Sequence, residues 1–141
     1  FSRTRLGRGV AVGDIDNDGR LDLVVSHQQS DSSSVLLNDT DTEQKSVIVK
    51  LIGRMSNRSG TNTIVKAEGL GLKLVREVLG GGSYQSAQDN RVHIGLGENS
   101  SISALQIEWP SGHIDRLMNV QPGHYVIVED GGIYQDIAAS R

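Results

Sequence analysis

The segment Asp14-Ile15-Asp16-Asn17-Asp18-Gly19-Arg20-Leu21-Asp22 puts carboxylates at the first, third, fifth and ninth positions of a short loop. Such spacing lets a curling chain aim alternate side chains and one backbone carbonyl at a common centre, and roughly six to eight hard oxygens are what Ca2+ takes. Asp14, Asp16, Asp18 and Asp22 would supply carboxylates, Arg20 the carbonyl, and Gly19 the sharp turn. Carboxylates held about 4 to 6 Å apart repel by roughly 1 kcal/mol per pair even in a high dielectric, and a cation removes that conflict. Magnesium fits less well, because it keeps several waters and seldom uses an all-protein cage. The plainer alternative is a solvated Asx-rich turn, which Asp-Asn-Asp-Gly forms readily.

The elements flanking this loop read as strands. An EF-hand would need a bidentate Glu at its twelfth position, where Val25 stands, and Leu21 to Ser26 has strand composition. The loop therefore joins Val10–Val12 to Leu21–Ser26. Short or alternating apolar runs follow at Val35–Asn38, Val47–Ile52, Thr63–Ala67, Leu72–Leu79, Arg91–Leu96, Ala104–Trp109, Ile114–Leu117 and Tyr125–Glu129. Trp109 belongs in a core, and Pro110-Ser111-Gly112 turns the chain back through Ile114; Glu68-Gly69 predicts a second hairpin. No stretch keeps a helical period long enough for a long helix, although a single turn near Gln88 to Asn90 is compatible with the sequence. With 17 Gly and only 2 Pro in 141 residues, the backbone turns often through positive φ, as hairpin-rich folds require.

Other chemistries find little support. Zero cysteines exclude disulfides, thiolate metal sites and cysteine nucleophiles, and a net charge of −3 spread over both signs argues against nucleic acid or a membrane-surface anchor. No apolar run is long enough for a membrane helix, and the start at Phe1, without initiator Met or signal peptide, is what a mature or excised fragment would show. His27, His93, His113 and His124 lack ligand spacing and read as structural. No G-x-S-x-G elbow occurs, and Gly69-Leu70-Gly71 and Gly95-Leu96-Gly97 lack the partners of a nucleotide loop. Tyr84, Gln85, Ser86, Gln88 and Asp89 combine an aromatic face with hydrogen-bonding groups, as sugar sites do; alternatively Tyr84 lids the core while the polar groups satisfy loop amides. Sequons at Asn38, Asn57 and Asn99 matter only in a glycosylating host.

The run from Arg8 to Val25 closely resembles an FG-GAP or VCBS repeat of integrin-like β-propellers. Downstream, Ser56-Asn57-Arg58-Ser59-Gly60, Arg76-Glu77-Val78, Gly80-Gly81-Gly82-Ser83-Tyr84-Gln85-Ser86, Val92-His93-Ile94-Gly95-Leu96-Gly97 and Trp109-Pro110-Ser111-Gly112 resemble the ASPIC/UnbV domain of the cartilage-acidic-protein-like family. The pattern departs at Thr61-Asn62-Thr63, where a small Gly-Ala step is usual, and at Gln88, often Ser. The resemblance implies an extracellular, cell-surface or periplasmic protein whose upstream repeats form a propeller. It further implies calcium on Asp14, Asp16, Asp18, the Arg20 carbonyl and Asp22, and brings no catalytic activity with it. Asn57 and Arg58, with Tyr84, Gln85, Gln88 and Asp89, are the candidate ligand-binding residues.

The expected architecture is all-β: an FG-GAP/VCBS-like β-meander over 1–45, resembling part of a propeller blade, then an antiparallel β-sandwich or barrel-like ASPIC/UnbV domain over 46–130, and a tail over 131–141. The tail could be an edge strand, a short helix or frayed. The expected function is a non-catalytic, calcium-stabilised binding or adhesion module, the C-terminal fragment of a larger propeller protein. Its partners would be an extracellular protein or glycan and the upstream repeats. The alternatives are a carbohydrate-binding accessory domain using the Tyr84 loop and a structural cap of the propeller.

Overall fold

A computed structural model describes residues 5–28, 32–41, 45–69 and 71–135. Among them every regular element is a strand, in eleven pieces arranged as three sheets. Residues 88–90, where a helical turn was compatible with the sequence, are irregular. The chain divides into two compact units, residues 1–41 with 80–89, and residues 42–79 with 90–141.

In the first unit, β1 (Gly7–Gly13), β2 (Asp22–His27) and β3 (Ser34–Leu36) form an antiparallel meander in the order β1-β2-β3. Val12 faces Leu23 and Gly13 faces Asp22, so the aspartate-rich segment is the connection at the tight end of this hairpin. The sheet has little interior. Leu6, Val35 and Leu37 are exposed, and among the described residues of this unit the buried side chains are those of Asp14 and Asp22.

The second unit is a sandwich of two four-stranded sheets that do not join into a closed barrel. One has the order β11-β10-β4-β7, built from β4 (Lys45–Ile52), β7 (Val92–Gly97), β10 (Gly123–Val128) and β11 (Gly132–Gln135). The other has the order β6-β5-β8-β9, built from β5 (Ile64–Gly69), β6 (Leu72–Glu77), β8 (Ile102–Glu108) and β9 (Ile114–Val120). The strand period of two sends Val47, Val49 and Leu51, Val65 and Ala67, Ile94 and Leu96, and Leu105 and Ile107 inward to one core, joined by Ile127 and Trp109. Burying each large aliphatic contributes roughly 1.5 to 3 kcal/mol, so this unit has a larger apolar driving force than the first, whose Val10, Val12, Leu23, Val24 and Val25 are only partly buried.

The hairpin readings hold: β5 pairs with β6 and β8 with β9, and Gly112, at φ +90°, donates its N–H to the Trp109 carbonyl at 2.9 Å. One expectation needs correction. The sandwich is not purely antiparallel, because β10 lies parallel to β4. Parallel neighbours need a long crossover, and here the intervening β5, β6, β8 and β9 occupy the opposite sheet. At the tail, β11 is an edge strand on β10, while residues 136–141 lie outside the described residues.

Candidate metal centre and loop surfaces

Left-handed backbone at Asn17 (φ 61°) and Gly19 (φ 88°) curls the loop between β1 and β2 inward. Asn tolerates that region and Gly has no Cβ to oppose it. The curl turns successive amides toward the carboxylates: Asp18 N–H donates to Asp14 Oδ1 at 3.1 Å and to Asp16 Oδ1 at 3.3 Å, and Gly19 N–H donates to Asp14 Oδ2 at 3.1 Å. Asp14, Asp16 and Asp18 each bring one carboxylate oxygen within 4.8 Å of the others. The first is buried and the other two are exposed, so the cluster opens to solvent.

Asp22 is placed differently. It is buried and is not a member of that cluster; its Oδ2 accepts the Ile15 N–H and its Oδ1 the Asn38 N–H, both at 2.8 Å. These amides, Asn38 foremost, hold its pKa below the ordinary carboxylate value against burial, which acts to raise it. The Arg20 amide donates to Asp18 Oδ1 at 2.8 Å, its guanidinium pairs with the Asp18 carboxylate, and its Nε donates to the Asn38 carbonyl at 2.6 Å.

The 80–89 segment carries the other predicted residues of the first unit. Arg8 lies over the Tyr84 ring, 4.5 Å from guanidinium carbon to ring centroid, and donates to the phenol oxygen at 2.7 Å. Tyr84 is 51% exposed, so it does not lid a core. The polar groups here bond nearby backbone: Ser83 Oγ accepts the N–H of Val10 on β1, Ser86 Oγ donates to the Tyr84 carbonyl, and the Asp89 main-chain N–H donates to the Val12 carbonyl. Gln85 is exposed at φ 48°, and the Gln88 side chain fills the space where a Cβ on Gly82 would stand. Asn57 and Arg58 belong to the second unit, so the six candidate ligand residues do not fall within one compact unit.

Glu129 is a carboxylate outside the aspartate loop that no sequence motif singles out. It is fully buried at the end of β10, where Oε2 accepts the N–H groups of Arg54, Met55 and Ser56 at 2.7, 2.8 and 2.7 Å. Oε1 accepts the hydroxyls of Ser56 and Ser111. Burial acts to raise its pKa, but the hydrogen bonds from Ser111, Ser56 and Arg54 win and bring it down to about 2. The loop so held carries Asn57 and Arg58, both exposed; Asn57 Oδ1 accepts the amide and hydroxyl of Ser59, and the Arg58 carbonyl accepts the Gly53 N–H. The available signal was a Glu closing an apolar strand, next to Asp130-Gly131-Gly132, in a chain with serines in two separate turns.

Residues 53–133, more than half of the chain, match the family model described as ASPIC and UnbV. The chain belongs to the ASPIC and UnbV family. In this ASPIC and UnbV chain, residues 6–48 also match the FG-GAP repeat, which takes in the aspartate loop and all three strands of the first sheet. It is similar to cartilage acidic protein 1 of Xenopus tropicalis, at 31% identity over 111 residues, or 77% of this chain. The ASPIC and UnbV chain spans only 17% of that relative's length. The Glu129-anchored loop and the Trp109 hairpin both lie inside the ASPIC and UnbV match, whereas Asp14 to Asp22 lie inside the FG-GAP match.

Proposed function

We propose that this chain is a non-catalytic, calcium-stabilised binding or adhesion module that works outside the cell. The observation that carries the reading is the approach of Asp14, Asp16 and Asp18 carboxylate oxygens to within 4.8 Å of one another in a loop whose strands hold both ends. The donor set is all oxygen and rich in charge, which suits a hard cation of flexible geometry better than zinc or copper. Calcium bound there would neutralise like charges that otherwise repel, and its role would be structural. Resemblance to cartilage acidic protein 1 and the FG-GAP match support an extracellular setting; among the described residues no helix is long and apolar enough to cross a membrane.

The polar geometry favours a role other than catalysis. Ser111, His113 and Asp115 stand at alternate positions of one hairpin, a combination of types that could serve acyl transfer. The Ser111 hydroxyl, however, donates to the buried Glu129, while the His113 ring bonds Asp115, which also receives the Trp109 indole N–H at 2.7 Å. These groups close a turn and satisfy one another.

Binding to the folded state alone would add about 2.7 kcal/mol at a hundredfold excess of calcium over Kd. The test is a calorimetric melt in EDTA and in millimolar calcium: calcium raises the transition and EDTA reverses it. Identical melts under both conditions would remove the calcium part of the reading.

Two further readings have observations of their own. A carbohydrate subsite at Tyr84 has an exposed ring, yet Arg8 occupies one of its faces and its hydroxyl. Glycan-array binding that Tyr84→Ala abolishes would favour it, and a blank array would not. A role in packing against further repeats draws on the exposed Leu6, Val35 and Leu37, because a three-stranded meander without an interior needs a neighbour to bury its faces. Expressing this chain with and without preceding repeats separates that case.

A further inference from the structure

Four strands of the second unit end its sheets: β7 and β11 in one, β6 and β9 in the other. An open edge leaves a row of main-chain donors and acceptors that another strand can take up. On β6 that row can be placed. The Val78 N–H donates to the Thr63 carbonyl at 3.0 Å, one step beyond the pairing of Glu77 with Ile64, and an antiparallel ladder alternates hydrogen-bonded pairs with non-bonded ones. Arg76 and Leu74 therefore bond β5, while Lys73, Val75 and Glu77 turn their N–H and C=O groups to the free side. The Val75 carbonyl accepts the Arg76 guanidinium at 3.2 Å in an exposed contact, as a group on the open side can. Leu74 packs against the core, so the strand period sends the side chains of Lys73, Val75 and Glu77 to the outer face, where all three are exposed, Val75 at 56%.

Two copies of one strand can pair only if each side chain meets another on the same face, so the partners must lie an even number of residues apart. An antiparallel pairing of β6 with itself, centred on Val75, sets Val75 against Val75 of the other copy, and Lys73 against Glu77 on either side. Opposite charges and apolar pairs in such positions stabilise a sheet, and like charges destabilise it. No other edge of this unit offers that match among the described residues. β7 and β11 contain no Lys, Arg, Asp or Glu, and Asp115 and Arg116 of β9 are adjacent, so they belong to opposite faces.

We propose that this chain associates with a second copy of itself through β6, antiparallel about Val75, so that the β6-β5-β8-β9 sheet continues across a two-fold axis into the same sheet of the other copy. Pairs of Lys73 with Glu77 flank the Val75 contact at both ends, and the Arg76 guanidinium yields the Val75 carbonyl to the Val75 amide of the other copy. Nothing in this contact involves the aspartate loop, so it stands or falls apart from the calcium reading.

The experiment is sedimentation of this chain over a range of concentrations at low salt, as wild type and as the Lys73→Glu and Glu77→Lys variants. Wild type is expected to dimerise. Each single variant sets like charges opposite one another at both ends of the contact, so its dimerisation should weaken at least roughly tenfold. Mixing the two variants restores opposite charges at both ends, and the mixture should therefore dimerise although neither variant does so alone. Lys73 also stands 3.8 Å from Glu68, but losing that neighbour cannot produce recovery on mixing. Amide exchange supplies a second measurement: in the wild type the amides of Lys73, Val75 and Glu77 should gain protection as the concentration rises. A wild type that stays monomeric up to its solubility limit overturns the proposal and leaves the edge to an extended segment of another protein. Single variants that dimerise as wild type does, or a mixture that stays monomeric, overturn it as well. If a variant does not fold, the wild-type exchange decides, since amides of Lys73, Val75 and Glu77 that remain unprotected at every concentration contradict the pairing.

Discussion

Glu129 shows how one residue can organise a surface loop from inside. A carboxylate buried without partners would take up a proton; this one accepts three amides and two hydroxyls and stays ionised down to about pH 2. Its folded value lies below the unfolded value of about 4.3, so the unfolded state binds the extra proton in the window between them. The stability it contributes is therefore fully present above about pH 4.3 and is lost as the pH falls through about 2. Glu129→Gln, with an NH2 facing donors, should destabilise by about 1 to 3 kcal/mol in urea melts at pH 7, and the difference from wild type should shrink toward pH 2. A constant difference across that range would show that the carboxylate charge is not what holds residues 54–56. Thr63 makes the opposite case: it is fully buried and its hydroxyl meets no hydrogen-bond partner among the described residues. Thr63→Val keeps the shape and removes the orphan, so it should raise stability by roughly 1 kcal/mol, as read from the midpoint of chemical denaturation. A lower midpoint would mean that the hydroxyl is satisfied in solution.

At the scale of elements, the loop from Gly53 to Gly60 depends on two close backbone approaches. A Cβ on Gly53 would strike the Asn57 carbonyl oxygen, and one on Gly60, at φ +70°, would come within 2.8 Å of Leu51 Cβ. Gly53→Ala should therefore cost about 2 kcal/mol or more and raise amide exchange at Arg54 to Ser56, whereas Gly95→Ala, which meets nothing within 4 Å, should be mild. Equal melting of the two variants would contradict this. Much of this layer was legible beforehand, because strand period and turn chemistry are local: Leu105 and Ile107 alternate with wet positions, and Pro110-Ser111-Gly112 can do little but turn. The parallel seating of β10 beside β4 was not legible, since pairing across that sequence separation leaves no local mark. Nor was Asn38, whose part in the loop comes from backbone groups that any residue carries. Of the candidate site, the spacing of Asp14, Asp16 and Asp18 sufficed to bring them together, whereas the amides of Ile15 and Asn38 on the Asp22 carboxylate were not legible in the motif.

For the whole molecule, the two units differ in what they bury completely. One buries aliphatic side chains and Trp109; the other buries aspartates and leaves Leu6, Val35 and Leu37 outside. Tryptophan emission from Trp109 therefore reports the apolar unit, and the response to calcium should appear more strongly in amides of residues 14–38 than in that emission. An emission change that tracks calcium while those amides stay unmoved would place the ion elsewhere. In the proposed function the loop after β1 is a divalent-ion cage built on Asp14, Asp16 and Asp18. The most direct measurement is isothermal titration of calcium into the chelator-stripped chain, repeated with Asp14→Asn and Asp16→Asn. One ion per chain, weakened at least tenfold by each substitution, is the predicted result; no binding at millimolar calcium, or binding indifferent to both substitutions, would contradict it.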